Sequence, residues 1–320
     1  MTQHITFEGR VAIITGAGRG LGRAYAQLLA ARGAKIVVND VGGSMSGRGY
    51  DDRAAAQTAA NAIAAAGGHA VSDTSDVATT AGAQDLVDHA IQAFGRLDIV
   101  VNNAGIYSLD DFPDLDAEAL RRHFDIHVGG SFNVTRAAWP HLATSGVGRV
   151  VMTTSTGALG ADNMIAYGQA KGAVLALGRA LAQVGIRDGI KVNNLAPLAM
   201  TRMMRAGAGI EQDLPDDPVQ SPALVAPMVA VLCHESCPST GETYISGLRH
   251  IARLVISANS GYTHPTAVLT PEQIIENWAD VSGFQQHSIL TTSADQMAHM
   301  RRLLAACESH DGAATISSPT

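Results

Sequence analysis

The feature that most constrains this chain is an eight-residue string near its start, TGAGRGLG at residues 15–22. The apolar run VAIIT, residues 11–15, precedes it, and Leu21–Arg32 follows with helical periodicity. A strand that turns through glycines into a helix brings free helix N–H groups and a partial positive charge to one point, which suits an anionic phosphate. In this context Gly16 permits the tight turn, and Gly20 and Gly22 let backbone and helix approach a pyrophosphate, with Arg19 and Leu21 between them. Such a turn belongs to a sheet whose strands run parallel and whose helices cover both faces.

The rest of the chain keeps that rhythm. Strand character recurs at Lys35–Asn39, His69–Ser72, Leu97–Asn102, Arg149–Thr153 and Lys191–Leu195. Helical segments fall at residues 51–66, Ala83–Phe94, 117–144 with an interruption at Gly129 and Gly130, and Ala166–Arg187. Strands and helices alternating at this spacing predict α/β architecture, a Rossmann-like doubly wound parallel sheet in a single domain over residues 5–250. A C-terminal extension packed on it is expected at 251–308, and a disordered tail at 309–320. Residues 202–222, with several glycines and prolines, read as a mobile loop beside the site.

Composition excludes several classes. The net charge is −7 with no Lys/Arg cluster, so no nucleic-acid partner is expected. No apolar run reaches spanning length and no signal-peptide pattern opens the chain, so no membrane partner is expected and the cytoplasm is the default compartment. Cys233, Cys237 and Cys307 are too few and too far apart for a disulfide framework, and no metal site is expected.

Asp40 ends the second strand 18 residues past Gly22. A carboxylate there accepts hydrogen bonds from ribose hydroxyls and repels a 2′-phosphate, which favours NAD over NADP; the Arg19 guanidinium argues the other way. Further along stand Asp76 and Val77, the string NNAG with Asn103, Ala104 and Gly105, then Ser155, and YGQAK from Tyr167 to Lys171. Tyr167 and Lys171 lie four residues apart and share one helix face. An ammonium beside a phenol lowers its pKa and makes it a usable acid and base near neutrality.

These motifs, in this order, resemble the short-chain dehydrogenase/reductase family over residues 5–250. The resemblance implies Tyr167 as the proton-transferring residue, Ser155 holding the substrate oxygen, Lys171 on the nicotinamide ribose, and cofactor contacts at Pro197 and Thr201. It implies interconversion of a secondary alcohol and a ketone by a homodimer or homotetramer. Two departures stand out: His127, in HFDIHVGGSF, replaces the family's usual Asn and is taken as a fourth catalytic candidate, connecting Lys171 to water, and Leu198 follows Pro197 where Gly is usual. The strings VVNDVGG (37–43), HVGGSFNVTRAAW (127–139), VLCHESC (231–237) and LTPEQIIENW (269–278) resemble one subgroup. It comprises the (3R)-hydroxyacyl-CoA dehydrogenase part of peroxisomal type 2 multifunctional enzymes and related 17β-hydroxysteroid dehydrogenases. The implied substrate is a 3-hydroxyacyl-CoA, a hydroxysteroid or another bulky alcohol, with Arg202 and Arg205 as candidate CoA contacts and Met200, Met203 and Met204 as an apolar wall. A general ketoreductase, or a non-catalytic NAD-binding protein, stands as the alternative.

Overall fold

The computed structural model describes residues 4–314 except 110, 202, 204, 206–217, 267 and 285, with side chains to 307. Arg202, Met204 and most of the loop at 202–222 therefore lie outside the described residues.

Eight strands form one sheet in the order β3-β2-β1-β4-β5-β6-β7-β8. They are β1 Val11–Thr15, β2 Lys35–Asn39, β3 His69–Asp73, β4 Ile99–Asn102, β5 Arg149–Thr153, β6 Lys191–Leu198, β7 Thr243–Gly247 and β8 His250–Leu254. From β3 to β7 each neighbouring pair is parallel. Central strands read as continuous apolar runs because both faces are covered. β1 shows it: Ala12 and Ile14 enter one core with Ile36, Val38, Val101 and Val151, while Val11 and Ile13 enter the other with Val37, Val100, Val150 and Met152. Helices α1 Gly20–Ala31 and α2 Ala55–Ala65 cover the first face. On the second face lie α3 Thr80–Phe94, α5 Gly130–Thr144 and α6 Ile165–Asp188. The Rossmann-like doubly wound sheet expected from the alternation is the fold observed.

Between β4 and α5 the expected interruption at Gly129 and Gly130 does not occur. Both glycines have helical dihedrals, φ −58° and −59°. Helix α4, Ala117–His123, instead passes into a π-helical turn, Phe124–Gly129, before α5. A π turn inserts extra backbone and rotates the side chains that follow it, and such turns gather at functional sites. Here it buries His127, stacked on the buried His123 with ring centroids 5.8 Å apart. Gly130 is required for packing rather than for a break, because an added Cβ would lie 3.0 Å from Val77.

The second helix starts at Ala55, later than expected, because residues 41–52 form a strap of their own. Gly43 and Tyr50 pair as a bridge, and Ser44 Oγ accepts from Arg48 N–H at 2.9 Å. Beyond β6, α7 Ala226–Cys233 packs into the first core, with Cys233 and Cys237 buried and free. Arg149, buried at the start of β5, donates to the carbonyls of His234 and Glu235 just past α7, so its charge is spread over backbone oxygens rather than left bare.

The described residues from 254 to 314 form a separate compact unit. It holds β9 Ser257–Asn259 antiparallel to β10 His287–Ile289, and α8 Pro271–Glu276, α9 Trp278–Ser282 and α10 Ser293–Ala314. Thr270 and Gln273 cap α8 reciprocally. Helix α10 continues to Ala314, into the tail expected to be disordered; residues 315–320 lie outside the described residues. Among the described residues no helix is long and apolar enough to cross a membrane.

Candidate active site

Where β1 and β4 lie side by side at the switch in strand order, connections leave in opposite directions and open a crevice at the strands' carboxyl ends. A cavity of about 660 Å³ occupies it. Its floor is the glycine turn. Gly16 and Gly20 have φ of +63° and +54°, the left-handed region that side chains resist. Thr15 and Asn103 hold the turn in shape. Thr15 Oγ1 accepts from the N–H groups of Asn103 and Ala104, each at 3.0 Å. Asn103 Nδ2 donates back to Thr15 O at 2.9 Å and Gly16 O at 3.1 Å. Gly16, Arg19, Gly20 and Leu21 line the cavity, as do Asn103, Ala104 and Gly105. Gly22 does not: one turn into α1, it faces inward, where an added Cβ would meet Asn103 Nδ2 at 2.6 Å. Its absence of side chain serves packing of the helix against the glycine turn and Asn103 rather than approach to a ligand.

Asp40, Asp76 and Val77 line one end of the cavity. Asp40 Oδ2 accepts from Gly18 N–H at 3.0 Å and Oδ1 from Gly42 N–H at 2.8 Å, so its carboxylate is fixed. Arg19 donates to the Gly43 carbonyl at 3.2 Å, which directs its guanidinium onto the strap. Pro197, Leu198, Thr201 and Met203 line the cavity beside the glycine turn and the far end.

Ser155, Tyr167, Lys171 and His127 meet at that far end. Ser155 leaves β5 in an extended conformation and caps the short helix Thr156–Leu159, its Oγ accepting from Gly157 N–H at 3.0 Å. Two bonds anchor α6 to β5: Thr154 Oγ1 to Lys171 O at 2.7 Å, and Lys171 Nζ to Thr153 O at 2.8 Å. Tyr167 hydrogen-bonds Ser155. The Lys171 Nζ lies 5.6 Å from the centre of the Tyr167 ring.

The electrostatics differ from the sequence expectation. Burial raises the Tyr167 pKa, the Ser155 hydrogen bond opposes that rise, and Tyr107 adds to it. Burial also lowers the lysine, to about 7. Both groups lose water, and each loses stability in its charged form. His127 is held well below its ordinary value, first by burial and then by Lys171, so its ring is neutral. The shorter of its Nε2 contacts, 2.9 Å to Ile106 O, places the proton there and leaves the buried Nδ1 as an acceptor with no hydrogen-bond partner among the described residues. The same ring covers Gly105 so closely that a Cβ there would overlap it.

Two features escaped the sequence reading. Tyr107 lines the cavity with its ring on Tyr167, centroids 5.3 Å apart. The strap contributes Gly43, Ser44, Met45, Gly47, Gly49 and Tyr50 to the wall. Neither carries a motif; only the aromatic Tyr directly after NNAGI could have drawn notice.

A glycine turn at a helix N-terminus, a fixed acid at one end and a buried lysine with a tyrosine and serine at the other fit an elongated dinucleotide with a nicotinamide ring. The arrangement defines a nicotinamide-dependent oxidoreductase of alcohols and ketones. The chain belongs to the short-chain dehydrogenase family, whose model matches residues 10–212. It is 39% identical over 296 residues to the peroxisomal multifunctional enzyme type 2 of Mus musculus, an alignment covering 90% of this chain and 38% of that enzyme. The chain thus spans well under half of that relative. A short-chain dehydrogenase from Mycobacterium avium superposes with a TM-score of 0.76 at 33% identity, covering 87% of this chain and 96% of the other. A 7α-hydroxysteroid dehydrogenase complexed with NADH and 7-oxo glycochenodeoxycholic acid superposes with a TM-score of 0.66 at 28% identity, covering 75% and 94%.

Proposed function

We propose that this protein is an NAD-preferring dehydrogenase of a bulky secondary alcohol, with a 3-hydroxyacyl-CoA as the first candidate substrate and a hydroxysteroid as the second. The observation that carries the reaction is the convergence of Ser155, Tyr167 and Lys171 at the end of the cavity opposite Asp40. The nicotinamide cofactor, when bound, supplies the hydride acceptor or donor. Ser155 Oγ holds the substrate oxygen; Tyr167 takes the hydroxyl proton during oxidation and returns it during reduction. Lys171 offers its remaining N–H groups to a ribose and its charge to the tyrosinate. His127 acts behind them as a positioning residue: its carbonyl accepts the Ser131 hydroxyl at 2.6 Å, while Nδ1 is the acceptor that a water-borne relay from Lys171 requires.

For substrate size, support comes from the apolar wall of Ile106, Tyr107, Met164, Leu198 and Met203 and from the likeness to the mouse multifunctional enzyme. Met200 and Arg205 lie outside the cavity wall, and Arg202 lies outside the described residues. Steady-state kinetics with a (3R)-hydroxyacyl-CoA, a 17β-hydroxysteroid and bulky ketones tests the reading. The acyl-CoA is expected to give the highest kcat/KM; no turnover on any of them would return the chain to a non-catalytic binding role.

NAD preference rests on Asp40, whose fixed charge would lie beside a 2′-phosphate, and on Arg19, engaged with Gly43. Asp40→Asn keeps the shape and removes the charge. It is expected to raise the NADP-to-NAD ratio of kcat/KM by about 10–100-fold. An unchanged ratio would refute the role. A homodimer or homotetramer is supported by exposed Phe132 on α5 and exposed Val184 and Ile186 on α6. Three free cysteines suit a reducing compartment, and the cytoplasm is the one proposed.

A further inference from the structure

The geometry points to Tyr107 as a positioning residue for Tyr167, held in place by the strap that begins beside Asp40. This rests on the reading of Tyr167 as the proton-transferring group, and it adds a residue that the family's motifs do not contain.

Two rings pack on the catalytic tyrosine. Tyr107 meets it at 5.3 Å and 72°, and His127 at 5.6 Å and 82°. Both are edge-to-face contacts, the arrangement aromatic quadrupoles favour. A ring held this way cannot swing about its Cα–Cβ bond without losing one of the two contacts. Among the described residues, the other polar or charged side chains facing Tyr167 are Ser155 at its hydroxyl and Lys171 along α6.

His127 is fixed by the π turn and by Ile106. Tyr107 is fixed from two other directions. Its hydroxyl reaches Met164 Sδ, at the start of α6, at 3.2 Å. Its backbone N–H donates to Met45 O at 2.8 Å. Met45 sits at the crest of the strap, and that strap grows from the Asp40 end, where Gly42 N–H binds the carboxylate and Arg19 binds Gly43. One short segment thus runs from the fixed acid at one end of the cavity to the ring beside the proton-transferring tyrosine at the other.

The ring also helps to bury Tyr167, whose pKa burial raises. A small aliphatic side chain at 107 would free the tyrosine ring and admit water. Precise placement and the pH at which the phenol ionises should then change together.

Steady-state kinetics of alcohol oxidation against pH tests this with Tyr107→Phe and Tyr107→Leu. Phe keeps the ring and is expected to retain kcat within about twofold, with the acid limb of the kcat profile close to that of the unaltered protein. Leu is expected to lower kcat about tenfold with KM little changed, and to move the acid limb to lower pH. NADH fluorescence titration and a melting curve should be unchanged in both. If the Leu variant melts early, Tyr107→Met serves in its place with the same expectation. The inference is overturned if Leu or Met leaves kcat and the pH profile untouched, if the loss falls on KM alone, or if Phe is as damaging as Leu. Turnover retained by Tyr167→Phe would instead remove the reading beneath it, a separate outcome.

Discussion

Tyr167→Phe is expected to lower kcat by about 10²–10⁴-fold, the span a positioned acid or base contributes. The change deletes one oxygen and leaves a ring of nearly the same shape against Tyr107 and His127. It also releases the Ser155 hydroxyl, the group that would hold the substrate oxygen. Because the glycine turn, Asp40 and Lys171 are untouched, NADH affinity measured by fluorescence should stay near that of the unaltered protein. Folding should not suffer, since the deleted hydroxyl leaves behind one exposed-to-cavity partner rather than a buried charge. Turnover within tenfold of the starting protein would mean that another group carries the proton.

Lys171→Met has the second largest expected effect, and it has two readouts. The first is activity: loss of the only ammonium within the catalytic cluster should reduce kcat by about 10²–10³-fold. The second is stability against pH. Burial lowers the Lys171 pKa from 10.5 to about 7 in the folded protein. Between these two values the unfolded chain binds a proton that the folded chain does not, so folding stability rises with pH through that window. Below about pH 7 the lysine is charged in both states and the full penalty of burying the charge is present. The methionine variant removes that penalty, which is on the order of a few kcal/mol. It should therefore melt at a higher temperature than the unaltered protein near pH 6, with the gap closing as pH rises toward 10. Parallel melting curves for the two proteins across that range would show that Lys171 is not buried as the structure has it. A lysine retained at such a cost is consistent with a site that gives up stability to keep a charge where chemistry needs it.

Much of this architecture was legible before any coordinates. The boundaries of β1, β2 and β5 coincide with their apolar runs, because strands buried on both faces must be apolar throughout. The glycine turn, Asp40, Ser155, Tyr167 and Lys171 were legible because each is a short local pattern tied to strand or helix ends. The π turn was not. Two adjacent glycines read as a break, yet here one of them is needed only for close packing on Val77. The onset of α2 was misplaced for a related reason: alanine-rich residues continue the helical pattern backward, while the strap's fold depends on Gly42 and Gly43 meeting Asp40, Arg19 and Tyr50.

The chemistry of the site divides the same way. By itself the sequence determined which groups are present and on which elements they ride, since spacing along a helix or strand end is a local property. Tertiary structure alone decided their charge states and their company. Lys171 was expected to lower the tyrosine pKa, but enclosure raises the tyrosine and lowers the lysine together, and water exclusion depends on every element that closes around the pair. The rings of Tyr107 and His127 come from a loop and a π turn well before Tyr167 in the chain, and only folding sets them against it.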